Sequence, residues 1–263
     1  RPPHFCDVAM CYSRAYMKDN TSIQAMARET PHDTSDALVV GAGICGLLCA
    51  TELKAAGLQV RVLDKGRGVG GRMATRRMAD ARLDHGAQFF TVREEAFRQY
   101  VDRWRAADVV REWFRHRPGS SGSTGYPRYR GVHGMTDVPK LLAGDLDVHL
   151  EERVVALVRE SGYWYATTEI GRRFSSRHLI LTAPVPQSLM LLDTSGVQLP
   201  TELDAGLRAI RYEKGLAALV ILDRPSDLAH PGGRNLNGEI LSWIADNQKK
   251  GISPSVPAVT LHA

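Results

Sequence analysis

The segment from Leu38 to Arg77 most limits the folds open to this chain, because it sets a glycine cluster between two short apolar runs. Residues 37–40, ALVV, are typical of a buried parallel strand, and residues 44–56 are typical of a helix capped by Gly57. A second apolar run at residues 60–63 is closed by an acid. The order strand, G-x-G-x-x-G, helix, strand and acid predicts a dinucleotide-binding unit.

Each glycine of the first cluster, GAGICG, has a mechanical reason. Gly41 permits the tight turn out of the strand, Gly43 lets a pyrophosphate approach the backbone, and Gly46 lets the helix pack closely on the sheet. The first helical residues, Ile44 and Cys45, present unpaired N–H groups and about half a positive charge to the phosphates.

Asp64 follows the second strand and is placed to accept hydrogen bonds from an adenosine ribose. From Lys65 to Arg82 the chain carries six basic side chains against one acidic one, which equals its whole formal excess of +5. A positive cluster beside glycines indicates a bound phosphate group, so we expect no nucleic-acid partner.

Composition removes several other classes of protein. The sequence contains no apolar run of about 18 residues and no signal peptide, so we expect no membrane partner and a cytoplasmic location. Four cysteines do not form a disulfide framework in a chain of 263 residues. We expect Cys45 and Cys49 to be small core residues, and we expect no metal site.

Both ends of the sequence suggest an incomplete protein. Residues 1–35 show neither helical nor alternating periodicity, which predicts a disordered or non-native N-terminal extension. The last residues, VPAVTLHA, predict a strand with no closing element after it. We therefore expect a fragment that lacks its C-terminal part.

A second glycine cluster, KGRGVGGR at residues 65–72, resembles the extended flavin-binding signature of the FAD-dependent amine oxidase superfamily. In that family the Gly-Gly-Arg turn lies against the FAD pyrophosphate. The resemblance implies that Lys65, Gly70, Gly71 and Arg72 belong to the cofactor site. Bare backbone permits close approach, and a guanidinium offers a charged fork to an anionic oxygen. The alternative for this segment is a solvated basic loop.

Residues 83–90, LDHGAQFF, resemble the family segment that lines the flavin ring. The resemblance places Asp84, Gly86, Ala87 and Gln88 near the isoalloxazine. His85 is either a catalytic base or, as the motif favours, a structural residue.

The resemblance continues downstream. Residues 129–143 are similar to the segment that returns the chain to the flavin domain, and residues 149–169 predict a hairpin that turns at Ser161-Gly162. In the family a backbone amide of this hairpin, here Val154 or Val155, touches the adenine end of FAD. The following strand ends at Ala183, and residues 240–251 resemble renalase-like members of the family most closely.

The predicted fold class is α/β: a Rossmann-like FAD-binding domain with a β-meander, and a discontinuous α+β substrate domain with a mixed or antiparallel sheet. The FAD-binding domain takes residues 36–92 and 131–190, and the substrate domain takes residues 93–130 and 191–263. Periodicity predicts one or two amphipathic helices over residues 93–117, and a flexible loop follows them. Tyr212 and Trp243 are expected on substrate-domain strands as candidate walls of the pocket, or as plain core residues.

These features predict an FAD-dependent oxidoreductase that accepts a hydride from a small substrate and is reoxidised by dioxygen. A renalase-like member would oxidise isomers of dihydro-NAD(P) and release hydrogen peroxide. The alternatives are an amine oxidase, a desaturase-type flavoenzyme of the same superfamily, and a non-catalytic truncated fragment. The catalytic residues stay unknown at this stage, with Tyr212, Trp243, Gln88 and His85 as pocket candidates.

Overall fold

The computed structural model describes residues 34–115, 125–237 and 240–263. Most of the predicted extension over residues 1–35, and most of the predicted loop over residues 117–127, lie outside these ranges. No helix within the described ranges is long and apolar enough to cross a membrane.

The regular elements are numbered along the chain. The strands are β1 Thr34–Val40, β2 Val60–Leu63, β3 Thr75–Met78, β4 Ala81–Asp84, β5 Phe90–Thr91, β6 Val110–Phe114, β7 Arg128–Gly131, β8 Asp147–His149, β9 Val154–Glu160, β10 Tyr163–Thr168, β11 Arg173–Leu181, β12 Ala217–Ile221, β13 Gly233–Asn235, β14 Trp243–Asp246 and β15 Ala258–His262. The α-helices are α1 Ile44–Ala55, α2 Glu95–Ala106, α3 Asp137–Ala143, α4 Val185–Thr194 and α5 Thr201–Ala209.

The largest sheet has the strand order β8-β2-β1-β11-β10-β9. β1 lies between β2 and β11 and runs parallel to both, and β8 pairs in parallel with β2. β11, β10 and β9 continue as an antiparallel meander, which turns at Ser161-Gly162 as predicted. The predicted α/β class with a Rossmann-like unit and a β-meander is therefore confirmed.

β1 begins at Thr34, three residues before the predicted start of the strand at Ala37. Thr34 and Ser35 pair with Ser175 and Ser176 of β11. The prediction of disorder is therefore wrong for these two residues. Their polar side chains give no apolar signal, and the backbone of a distant strand supplies their hydrogen bonds.

α1 crosses from β1 to β2 and packs very closely on the sheet. Leu47 of this helix is buried with Val39 and Val62 of the two strands. A Cβ atom built on Gly46 would lie 1.9 Å from the carbonyl oxygen of Gly41. The helix therefore reaches this distance only because residue 46 has no side chain.

Within residues 93–115, the part of this stretch that the structure describes, the chain forms one helix and one strand instead of one or two helices. α2 confirms the first half of the prediction, but Val110 and Trp113 lie on β6, so the helical prediction is wrong there. Asp108, with a φ of 52°, ends the helical path. β6 then pairs with β7 in the sheet β5-β7-β6, where β-branched and aromatic side chains fit well.

A four-stranded antiparallel sheet has the order β12-β15-β14-β13. Ala81 and Leu83 of the β3–β4 hairpin pack on it through Ala258 of β15. The hairpin therefore joins the glycine-rich part of the chain to this second sheet. The exact domain boundaries stay a prediction.

We predict that Gly46→Ala destabilises the protein by about 1–3 kcal/mol, the usual size of an overpacking effect. The added methyl group would overlap the Gly41 carbonyl. Chemical unfolding measures the change.

Gly206→Ala is the matched control, since Gly206 also lies inside a helix but an added Cβ meets no atom within 4 Å. This variant should be neutral or stabilised by about 0.5–1 kcal/mol. Equal effects of the two substitutions would contradict the packing argument.

Candidate functional site

The two glycine clusters meet at the carboxyl end of β1. Gly43 and Gly70 form an isolated parallel bridge, and the Gly70 N–H donates to the Ala42 carbonyl at 2.8 Å. Gly70 and Gly71 both have positive φ, at 119° and 53°, which favours glycine. The second cluster is therefore held directly on the first by backbone contacts.

Asp64 ties both turns together. Its Oδ2 accepts the Ala42 N–H at 2.6 Å, and its Oδ1 accepts the Gly66 N–H at 2.7 Å. The Asp64 carboxylate therefore holds the turn at Ala42 and the turn at Gly66. It is also the group that the sequence predicts to accept a ribose hydroxyl. Each oxygen keeps a second lone pair with which it can accept a ribose hydroxyl.

One side of this arrangement is open. A Cβ atom on Gly43 would meet nothing within 4 Å, in contrast to the closed packing at Gly46. Arg72 is exposed beside this opening, and its guanidinium has no side-chain partner among the residues that the structure describes. Free helix N–H groups, bare backbone and an uncommitted guanidinium together form a cradle for phosphate.

The other predicted cofactor residues lie around the same sheet edge. A Cβ on Gly41 would come within 3.4 Å of the Ala183 nitrogen, so the end of β11 borders the first turn. Lys65 is exposed and donates to Gln187 of α4 at 2.9 Å. β9 starts at Val154, two residues after Glu152, and the Glu152 N–H donates to the Asp64 carbonyl at 2.9 Å; Val155 is the second residue of the strand.

Cys45 and Cys49 do not behave alike. Cys45 lies in the first turn of α1 and is exposed, so its prediction as a core residue is wrong, while Cys49 is half-buried. Among residues 34–115, 125–237 and 240–263, nothing buries the Cys45 side chain at the start of the helix. Its exposure leaves the backbone N–H groups of Ile44 and Cys45 at the open side of the cradle.

The segment after β4 lies against the Gly-Gly-Arg turn. Ala87 N–H donates to the Arg72 carbonyl at 2.9 Å, and a Cβ on Gly86 would lie 2.1 Å from that oxygen. Gln88 is buried and donates to the Asp84 carbonyl at 2.6 Å. The structure therefore brings the predicted phosphate and flavin-ring segments together.

Asp84 is fully buried, and its partners include a residue that sequence reasoning missed. It accepts from Thr75 Oγ1 at 2.5 Å, from the Met135 N–H at 2.9 Å and from Lys250 Nζ at 2.7 Å. Lys250 was visible only as part of a basic pair at residues 249–250. Burial lowers the pKa of Lys250, and the Asp84 carboxylate opposes that shift.

His85 contributes its backbone to the site. Its carbonyl oxygen lies 3.2 Å from Nε2 of His262, the last residue of β15. Burial lowers the pKa of His262 below its usual value. The expectation that His85 acts structurally fits this backbone contact.

The two aromatic pocket candidates differ in position. Trp243 lies on β14 as predicted and is buried, with its ring 5.8 Å from Phe89 and 6.2 Å from Trp113. Tyr212 lies outside any strand, so that placement is wrong. β12 starts only at Ala217, after a polar stretch that includes Tyr212. The Tyr212 hydroxyl instead accepts the Val185 N–H at 3.1 Å.

Comparisons with known proteins agree with this geometry. The profile of an NAD(P)-binding Rossmann-like domain matches residues 39–104. The profile of flavin containing amine oxidoreductases matches residues 114–250, just over half of the chain. The chain belongs to the flavin-containing amine oxidoreductase family. The predictions of family, of an FAD-dependent oxidoreductase and of FAD as cofactor are thereby confirmed.

Solved structures show the same fold at low sequence identity. A provisionally assigned protoporphyrinogen oxidase from Exiguobacterium sp. 255-15 aligns with a TM-score of 0.68 and 12% identity, over 88% of this chain and 77% of that one. A redesigned putrescine oxidase gives 0.68 and 15%, over 88% and 75%. An oxidoreductase from Methanosarcina mazei gives 0.57 and 14%, over 86% and 78%.

The residues of this flavin-containing amine oxidoreductase fit FAD. The space in front of Gly43 and the free guanidinium of Arg72 suit a pyrophosphate, and the Gly86–Gln88 segment continues from that turn. When bound, FAD supplies the hydride acceptor. The chain itself would provide the donors to the phosphates, and it buries the side chains of Gln88 and Trp243.

We predict that Gly43→Val leaves the stability of the FAD-free protein unchanged but weakens FAD binding at least about tenfold. The backbone at Gly43 is extended, with φ −77° and ψ 175°, so valine is tolerated there, but its side chain enters the open space. Thermal unfolding without FAD and a fluorescence titration with FAD measure the two effects. Loss of stability with unchanged affinity would contradict an open cradle.

We predict that Arg72→Ala raises the FAD dissociation constant about 10- to 100-fold, the usual effect of losing a charged hydrogen bond. The defect should shrink as salt is added, because salt screens the exposed charge. Arg98→Ala is the control, since Arg98 is an exposed arginine of α2 that pairs with Glu95. Equal affinities of the two variants would refute the role of Arg72.

Proposed function

We propose that the chain is an FAD-dependent oxidase that takes a hydride from a small substrate and passes the two electrons to dioxygen, which leaves as hydrogen peroxide. The observation that carries the proposal is the contact between the phosphate cradle and the buried flavin-facing segment, through Arg72 and Ala87. Hydride transfer needs a positioned acceptor and a dry pocket rather than a nucleophile and base.

The proposed cofactor contacts divide into three groups along the sheet edge. The adenosine end would meet Asp64 and the backbone of Val154 or Val155. The isoalloxazine would lie near Asp84, Gly86, Ala87 and Gln88. The pyrophosphate would be held by Gly41, Gly43, Ile44, Cys45, Gly46, Lys65, Gly70, Gly71, Arg72 and Ala183.

We propose a dihydronicotinamide nucleotide isomer as the substrate. Phe89 follows Gln88 in the chain. The guanidinium carbon of Arg128 lies over the rings of Phe89 and Phe114, at 5.2 and 5.0 Å from their centres. Arg130 lies close by, beside Gly251. This positive wall favours a substrate with phosphate groups and disfavours a cationic alkylamine.

Two other functions stay in view. An amine oxidase or a desaturase-type flavoenzyme is supported by the family, whose profile is that of amine oxidoreductases. A non-catalytic fragment would fold without retaining FAD. The colour of the purified protein separates this last case from the enzymes.

We predict that the purified protein is yellow and that its visible absorbance bleaches without oxygen when a dihydronicotinamide isomer is added. Admission of air should restore the colour and release one hydrogen peroxide per substrate, detected by a peroxidase-coupled assay. Putrescine, added at equal concentration, is the comparison substrate. Bleaching by putrescine alone would refute the proposed substrate but keep the flavoenzyme.

A colourless protein that does not take up added FAD would refute the enzyme itself. Arg72→Ala, reconstituted at saturating FAD, serves as the internal control. Its bleaching should return to the wild-type rate, because the defect lies in cofactor affinity rather than in substrate choice.

A further inference from the structure

Lys250 is a lysine without solvent contact, which is rare in folded proteins. It lies in the turn after β14, where its backbone N–H donates to the Asp246 carbonyl at 2.9 Å. Its ammonium lies 2.7 Å from Asp84, 3.4 Å from Gln88 Oε1 and 4.8 Å from the ring centre of Trp113. A buried cation is tolerated because a carboxylate, an amide and an aromatic face surround it.

Asp84 is equally buried and is fully engaged in its charged form. Thr75 and Met135 supply two donors to Oδ1, and Lys250 supplies one to Oδ2. The pair is thus an anion and a cation that neutralise each other inside the protein.

The pair connects two segments that are 166 positions apart. On one side, Asp84 begins the segment that contacts the Arg72 carbonyl through Gly86 and Ala87. On the other side, Lys250 belongs to the connection between β14 and β15 of the second sheet. An ion pair replaced by apolar residues is often just as stable, so this pair is weak evidence for a role in stability.

We propose that Lys250 is a positioning residue that holds the Gly86–Gln88 segment against the FAD site and balances the charge of Asp84 beside the flavin ring. This inference rests on the proposed placement of FAD. Other charged or titratable groups near the pair are Arg130, His85 and His262. Arg130 acts on Asp84 at longer range, while Lys250 is the charged side chain that contacts the carboxylate among the described residues.

The charge balance has a consequence that a purely structural role lacks. Reduction adds negative charge to a flavin, so a nearby uncompensated carboxylate opposes it and a nearby uncompensated ammonium favours it. Lys250→Met leaves the carboxylate and should lower the midpoint potential of bound FAD. Asp84→Asn leaves the ammonium and should raise it.

The test measures the midpoint potential of bound FAD in the full-length protein by equilibration with redox dyes. Lys250→Met and Asp84→Asn should shift the potential in opposite directions, and the double variant should return close to the wild-type value. Lys249→Met is the matched control, because Lys249 donates to Ser226 and Leu228 and does not reach Asp84. It should leave the potential unchanged.

Shifts of the two single variants in the same direction, or no shift in either, would overturn the proposal. If Lys250→Met does not fold, the comparison of Asp84→Asn with the double variant carries the same information. The FAD affinity of Arg72→Ala separates the two levels of failure. An affinity that is unchanged in that variant refutes the cofactor site, whereas a weakened affinity with unmoved potentials refutes only the role of Lys250.

Discussion

The backbone contact between Gly43 and Gly70 is the constraint on which the rest of the site depends. It brings the second glycine cluster onto the first, and Asp64 fixes both by accepting the N–H groups of Ala42 and Gly66. A side chain at Gly43 would fill the open space beside the turn, and a side chain at Gly70 would be strained by the positive φ of that residue. Because the contact is made by backbone alone, the open side keeps room for a phosphate group, and the guanidinium of Arg72 stands at its edge.

Positive charge is used in two different ways in this protein. Arg72 is exposed, has no partner among the described side chains and is available to an anion. Lys250 is sealed from solvent and committed to Asp84. An exposed charge such as Arg72 would bind an anion with an affinity that salt weakens. A buried ion pair such as Lys250 and Asp84 is screened much less by salt. The Ala87 N–H donates to the Arg72 carbonyl, so the segment that begins at Asp84 contacts the turn that carries Arg72.

Local patterns carried most of the predictions that succeeded. The strand, turn and helix around Gly41 follow from contacts within about thirty residues, which a linear pattern records. Predictions failed where a distant partner decides the structure. Val110 and Trp113 match a helical period but lie on a strand, because residues on either side of Trp113 and Val110 itself pair with β7. Thr34 likewise joins β1 because it pairs with Ser175 of β11. The sequence shows Lys250 only as part of a basic pair, since its burial exists only once Asp84 is folded beside it.

The same distinction explains why the reacting end of the site is harder to derive than the phosphate end. A phosphate cradle needs bare backbone and a helix start, which one continuous segment supplies. A dry wall needs side chains from several segments, and here Phe89, Trp113 and Trp243 come from three of them. Burying Lys250 beside the ring of Trp113 is costly unless Asp84 is in place, so the ion pair and this part of the aromatic cluster depend on each other. The segment that starts at Asp84 is thus tied to the second sheet twice, by this ion pair and by the packing of the β3–β4 hairpin on Ala258.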